Sequence, residues 1–227
     1  MNVEIWSDIA CPFCYIGKRK FEQALEAYDE DVDVTFKSFQ LDPNAPKESN
    51  ESMVSVLAKK YNMPEAKAKE MNSQVTAQAE EVGLHYKLDQ VRVVNTLDAH
   101  RLSHLAKEQG KMGEVMEKLL DAHFVQGRYV GDRDTLVEIA ASVGLSKEEV
   151  NGVLDSDRYK DTVEQEQAEG AQIGVQGVPF FVFNRKYAVS GAQPKEAFLQ
   201  VLQKVKEEEG STIQVINQGD TCSDGSC

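Results

Sequence analysis

The spacing of apolar residues changes period along the chain, and each change marks an element. "NVEIW" (2–6) is short, β-branched and aromatic, and predicts a buried strand. After it Phe21, Ala24, Leu25 and Tyr28 recur at helical spacing, so a helix is expected to start near Pro12, where proline's missing N–H costs nothing. "VDVTFKS" (32–38) alternates, with Val32, Val34 and Phe36 on one face and Asp33, Thr35 and Lys37 on the other, which predicts a second strand. Strand, helix and strand at this length form a βαβ unit, whose handedness rule implies a parallel pair.

The character shifts at "LDPNAPKESN" (41–50): from about residue 50 to 170 the patterns are helical, with no convincing strand. "NTLDAHRLSHLAKEQG" predicts a helix capped by Asn95 and stopped by Gly110. "DRDTLVEIAASVG" runs from an aspartate cap to Gly144, and "SKEEVNGVL" opens with a Ser146/Glu149 capping box. Strand character returns in "GVPFFVFNRKYAVSG" (177–191), where Asn184-Arg185 reads as a tight hairpin turn. "QPKEAFLQVLQKVKEEE" then carries an apolar stripe of Ala197, Phe198, Val201, Leu202 and Val205, a closing amphipathic helix. The organisation is α/β: βαβ, a helical block, then ββα around a mixed sheet. It gives a strand-containing unit from 1–42 and 171–210, a helical insertion over 43–170, and a tail over 211–227 in which "TIQVI" has strand character.

Composition narrows the functional classes. The 227 residues are 41% hydrophobic and 28% charged, ordinary for a globular chain, and the formal net charge is −13. No Lys/Arg cluster interrupts that acidity, which argues against nucleic acid or an anionic membrane as partner. No apolar run approaches a membrane span, and "MNVEIWSDIA" has neither the basic nor the apolar region of a secretory signal, so a cytoplasmic protein is expected.

The four cysteines fall in two local pairs, Cys11/Cys14 and Cys222/Cys227, too few for a disulfide scaffold. Such pairs are redox couples, metal half-sites or accidents of spacing. A strand feeding a helix whose first turn holds C-x-x-C favours the redox reading. Cys11 sits where unpaired N–H groups and the macrodipole stabilise negative charge by up to about 2 kcal/mol, and so favour the attacking thiolate. Cys14, one turn deeper, is placed to close a disulfide. Zinc is the rival, because four cysteines would complete a structural site. Against it, the first pair lies in a strand-to-helix turn and the second at the end of the chain. No metal is expected at either.

"SDIACPFCYIG", "NTLDAHRLSHLA" and "GVQGVPFFVFNRKYAVSGAQP" together resemble the DsbA-like thioredoxin-fold oxidoreductases, in particular their FrnE-type branch. The resemblance covers essentially the whole chain and implies a thioredoxin fold interrupted by the helical insertion. It implies that the Val178-Pro179 bond is cis and faces the C-x-x-C, with Val178 offering its backbone to substrate and Pro12 and Phe13 lining the same surface. Some FrnE-type proteins are similar in carrying a C-terminal C-x4-C, which suggests that Cys222 and Cys227 exchange with Cys11 and Cys14.

Two further features are carried by the residues themselves. His100 and His104 lie four apart on a predicted helix but lack the glutamate of H-E-x-x-H, and read as ordinary helix residues. Asp8, three residues before Cys11, is a candidate proton relay or a plain loop residue.

The expected activity is thiol–disulfide exchange with cysteine-containing proteins, isomerisation included. No cofactor is expected beyond the redox disulfide, with glutathione or another small thiol as conceivable co-substrate. A glutathione-dependent isomerase or transferase resembling the kappa-class transferases and 2-hydroxychromene-2-carboxylate isomerases is the alternative. Those usually carry serine where this chain has Cys11. A zinc-stabilised interaction protein is the non-enzymatic alternative.

Overall fold

A computed structural model describes residues 1–209. The chain runs β1 (Asn2–Ser7), α1 (Pro12–Glu26) and β2 (Asp33–Ser38), then α2 (Met53–Lys60), α3 (Glu65–Glu80), α4 (Leu97–Glu108) and α5 (Met112–Leu120). A π-helical turn, Asp121–Val125, extends α5; α6 (Arg133–Ser142), α7 (Lys147–Leu154) and α8 (Lys160–Gln172) complete the helical block. β3 (Phe180–Phe183), β4 (Tyr187–Ser190) and α9 (Lys195–Glu209) close the described part.

The strands form one mixed sheet in the order β2-β1-β3-β4. β1 and β2 are parallel, Ser7 opposite Ser38, while β3 runs antiparallel to both β1 and β4. The ends of β1 and β2 and the start of β3 therefore lie along one edge, and the functional residues gather there. Register sorts the two faces. Val3, Ile5, Phe36, Phe181 and Phe183 share one, packed against Phe21 of α1 and Phe198 of α9, whose ring centroids sit 5.4 Å apart. Trp6 and Val182 occupy the other, under α8, where the indole Nε1–H donates to the Glu166 carbonyl at 2.9 Å.

The hairpin turns at Asn184-Arg185 as its sequence predicts, with φ of +47° and +56° at those residues, the sign that a type I′ turn demands of both. Lys186 lengthens the loop by one residue, because the first paired positions are Phe183 and Tyr187. α4 and α6 end at Gly110 and Gly144, both with positive φ. Asn95 lies one residue before the Thr96 cap and still accepts the Leu97 N–H at 3.0 Å.

The Ser146/Glu149 capping box does not form. Ser146 is the cap of α7 but makes no side-chain cap bond, and the Glu149 carboxylate faces outward to Gln109 Nε2 at 3.2 Å. The insertion is tied to the sheet by packing: Leu102, Leu105, Met116, Leu119 and Ile139 belong to the same buried cluster as Ile5, Phe36 and Phe181. "TIQVI" and the Cys222/Cys227 pair lie outside the described residues.

Candidate active site

The C-x-x-C opens α1 as its pattern predicts. Cys11 is the N-cap in extended conformation, Pro12 occupies the first helical position, and the Cys14 N–H donates to the Cys11 carbonyl at 3.0 Å. No acidic side chain lies in the first turn of α1 to offset the helix's N-terminal field at Cys11. Both cysteines are free thiols, 4% and 2% exposed. Phe13, between them, is 37% exposed and stands out beside the recessed Cys11.

The two sulfurs have different surroundings. Cys11 Sγ points at the Val178 carbonyl, 3.4 Å away. Cys14 Sγ lies inside, accepting the Asp8 main-chain N–H at 3.4 Å. Burial pushes the Cys14 thiol well up, and neighbouring Cys11 adds to the rise; the Ser7 hydroxyl and the Asp8 N–H pull only partly against them. The inner sulfur is thereby held as the thiol.

The bond between Val178 and Pro179 is cis. The Pro179 carbonyl accepts the Gly191 N–H at 2.8 Å, fixing the loop to the end of the β3–β4 hairpin. From the other side α1 presses in at Gly17, where a Cβ would stand 2.9 Å from Pro179 Cγ and 3.4 Å from the Ala192 Cα. Only a residue without a side chain lets helix and proline approach this closely.

The insertion supplies a residue that sequence reasoning missed. Tyr86, 7% exposed, donates its hydroxyl to the Pro12 carbonyl at 2.8 Å, and its ring stacks on Phe124 at 5.0 Å and Tyr15 at 6.3 Å. Burial pushes its hydroxyl up, as does negative charge at Cys11, so it remains a donor. A signal for Tyr86 exists in "LHYKL" (84–88), where Leu84, Tyr86 and Leu88 are buried in strict alternation with exposed His85 and Lys87.

Behind the thiols is a polar layer. The Asp8 carboxylate accepts the Leu41 N–H at 2.8 Å and the Ala10 N–H at 3.3 Å, and lies 3.4 Å from His100 Nε2. Burial would raise its pKa, but His100, the Leu41 N–H and the Thr96 side chain outweigh it and hold it below the ordinary carboxylate range. His100 Nε2 also meets the Phe39 carbonyl at 3.1 Å. One turn on, His104 Nε2 lies 2.9 Å from Ser38 Oγ and 3.3 Å from Glu166 Oε2.

The two histidines read as ordinary helix residues are thus fully enclosed, and each meets oxygens at the end of β2. Asn95 secures the loop beyond it, donating to the Pro43 and Ala45 carbonyls at 3.2 and 2.8 Å. Among the described residues no group of three or more His, Cys, Asp or Glu side chains is placed to hold a metal.

The crystal structure of a probable DsbA oxidoreductase, SCO1869 from Streptomyces coelicolor, is 43% identical, covers 92% of this chain and 91% of its own, and superposes with a TM-score of 0.88. The cytosolic disulfide reductase DsbM from Pseudomonas aeruginosa, 18% identical, covers 91% of this chain and 100% of its own with a TM-score of 0.63. A 2-hydroxychromene-2-carboxylate isomerase, 10% identical, covers 92% and 98% with a TM-score of 0.70. The last two share the fold alone at these identities. The model of the DSBA-like thioredoxin domain matches residues 2–203, which takes in both halves of the sheet, the insertion and the first cysteine pair. On that match the chain belongs to the DSBA-like thioredoxin domain family of disulfide oxidoreductases.

Proposed function

We propose that this chain exchanges disulfides with cysteine-containing proteins through Cys11 and Cys14. The observation that carries the reading is the asymmetry of the sulfurs. Cys11 heads α1 opposite the Val178 carbonyl of the cis-proline loop, and Cys14 is held protonated behind it. In the reductive direction the Cys11 thiolate attacks a substrate disulfide, forming a mixed disulfide and expelling one substrate sulfur, which takes a proton. Cys14 then gives up its proton and attacks Cys11. The Cys11–Cys14 bond forms, and the second substrate sulfur leaves as a thiol. The same steps in reverse oxidise a substrate dithiol, and release before resolution permits isomerisation.

Val178, Pro179, Pro12 and Phe13 form the surface against which the substrate chain lies in this reading. Asp8 acts at Cys14, by its main-chain N–H in the resting state and as a candidate proton relay during resolution. Cys222 and Cys227 serve as a second redox pair: the thirteen residues from Glu209 span about 45 Å when extended. That exceeds the roughly 22 Å length of α9 back to the active-site edge.

The test is capture. Cys14→Ser should accumulate protein mixed disulfides through Cys11, visible as high-mass species that collapse on reduction and are missing from Cys11→Ser. If only small-thiol adducts form, the protein-substrate reading fails and the glutathione-dependent one replaces it. Turnover of Cys222→Ser/Cys227→Ser in the same assays tests the relay, and rates equal to wild type with every reductant remove it.

A further inference from the structure

Resolution by Cys14 is the step at which the helical insertion has a direct hold on the chemistry. The Asp8 main-chain N–H donates to Cys14 Sγ, 3.4 Å away, beside the Ser7 hydroxyl, so the position of residue 8 bears on how the inner sulfur is held. Three segments pin its carboxylate: the turn before α1 through Ala10, the loop after β2 through Leu41, and α4 through His100. Ala10 and Leu41 contribute peptide N–H groups that any residue would supply. His100 contributes a side chain.

His100 Nε2 faces two oxygens, Asp8 Oδ1 at 3.4 Å and the Phe39 carbonyl at 3.1 Å. A nitrogen flanked by two acceptors must carry hydrogen, so the ring is fixed as a donor at Nε2. The side chain is 1% exposed.

Among the described residues no other ionisable group around Asp8 duplicates this role. His104 and Lys37 are engaged with Glu166, at 3.3 and 3.6 Å. His123, enclosed in the π-helical turn, feels the Asp8 charge but is held neutral by its own burial, with its pKa down at about 4. The Thr96 hydroxyl contributes a neutral hydrogen bond.

We propose that His100 is a positioning residue of the redox centre: by holding the Asp8 carboxylate against the ends of β1 and β2 it aims the Asp8 N–H at Cys14 and so sets the rate of resolution, leaving the attack by Cys11 to the helix terminus. This rests on the exchange reading above. Without His100 an anionic carboxylate stays buried behind Cys14 with one donor fewer, and ionisation of the inner thiol becomes costlier.

Reaction with 5,5′-dithiobis(2-nitrobenzoate) separates the two steps, in full-length protein carrying Cys222→Ser and Cys227→Ser so that only two thiols react. Attack by Cys11 releases one thionitrobenzoate and leaves the other bonded to Cys11. Cys14 then loses its proton to buffer and bonds to Cys11, and the second thionitrobenzoate leaves as the coloured thiolate. His100→Asn, which moves the donor away from the Nε2 position, should leave the first release within about twofold and slow the second about tenfold or more. His100→Gln, whose Nε2 reaches the same place, should restore the second release to within about threefold of the parent.

Equal second-step rates in His100→Asn and the parent overturn the proposal. So does His100→Gln resolving as slowly as His100→Asn with the same circular dichroism and melting temperature, because the ring's packing and not its donor would then matter. Failure of the parent to release a second thionitrobenzoate, with Cys11 still blocked by mass, would sink the exchange reading itself.

Discussion

At the scale of single residues, the site depends on one missing side chain as much as on the two sulfurs. Gly17→Ala would put a methyl 2.9 Å from Pro179 Cγ, with the Ala192 backbone closing the other side. Overpacking of this kind costs about 1–3 kcal/mol. The expected result is a lower urea midpoint together with slower exchange, because the proline loop must retreat from α1; a stability and rate equal to wild type would show that the loop gives way freely. The cysteines, Pro12 and the hairpin turn were legible in the sequence, because each needs only neighbouring residues to have its effect. Gly17 and Tyr86 were not. Their roles exist only once residues 162 and 74 positions away, Pro179 and Pro12, have been brought to them, and no local period records such a meeting.

At the scale of elements, charge joins the sheet to the insertion. Glu166 of α8 accepts the Ser38 N–H at 2.7 Å and lies 3.3 Å from His104 of α4, with Lys37 on its other oxygen at 3.6 Å. Burial alone would raise its pKa; the His104 bond, the Ser38 N–H and the Lys37 charge outweigh it and bring it down to about 2. Glu117 of α5, bound by Arg19, Lys18 and Tyr15 against the same opposing effect of burial, also falls to about 2. Carboxylates depressed in the folded state contribute stability that is complete above their unfolded pKa, about 4.5, and is lost as pH falls toward 2, because the unfolded chain binds protons first. For the well-buried Glu166 the contribution is of the order of 3 kcal/mol. Unfolding free energy should therefore fall steeply between pH 4.5 and 2. Glu166→Gln should flatten that fall, and an unchanged slope would contradict the link. The sequence revealed the helices here but not their pairing: His104 and Glu166 look like surface residues of amphipathic helices until α4 and α8 meet at β2. The capping box failed for a related reason, Glu149 being drawn to Gln109 of another helix.

At the scale of the whole molecule, the notable feature is that the interrupted sheet and the interrupting helices share the largest apolar cluster. The boundaries read from periodicity, near 42 and 171, mark where the pattern changes, and the buried cluster runs across them. The order βαβ, helices, ββα was legible because alternation and helical spacing differ so clearly; the continuity of the core was not, because side chains from both parts carry the same apolar signature. Among the described residues no helix is long and apolar enough to cross a membrane. Trp6, the chain's one tryptophan, lies fully buried on β1 between the sheet and α8, with its Nε1–H bonded to Glu166 and Lys37 and Arg185 over its ring at 5.9 and 5.7 Å. Its ultraviolet emission therefore reports the sheet and its contact with α8, whereas far-ultraviolet ellipticity comes mostly from helices of the inserted part. In a denaturant titration the two signals should trace one curve with a common midpoint. Separate midpoints would mean that the helical block melts by itself, and the insertion would then be a passenger on the redox centre instead of part of its frame.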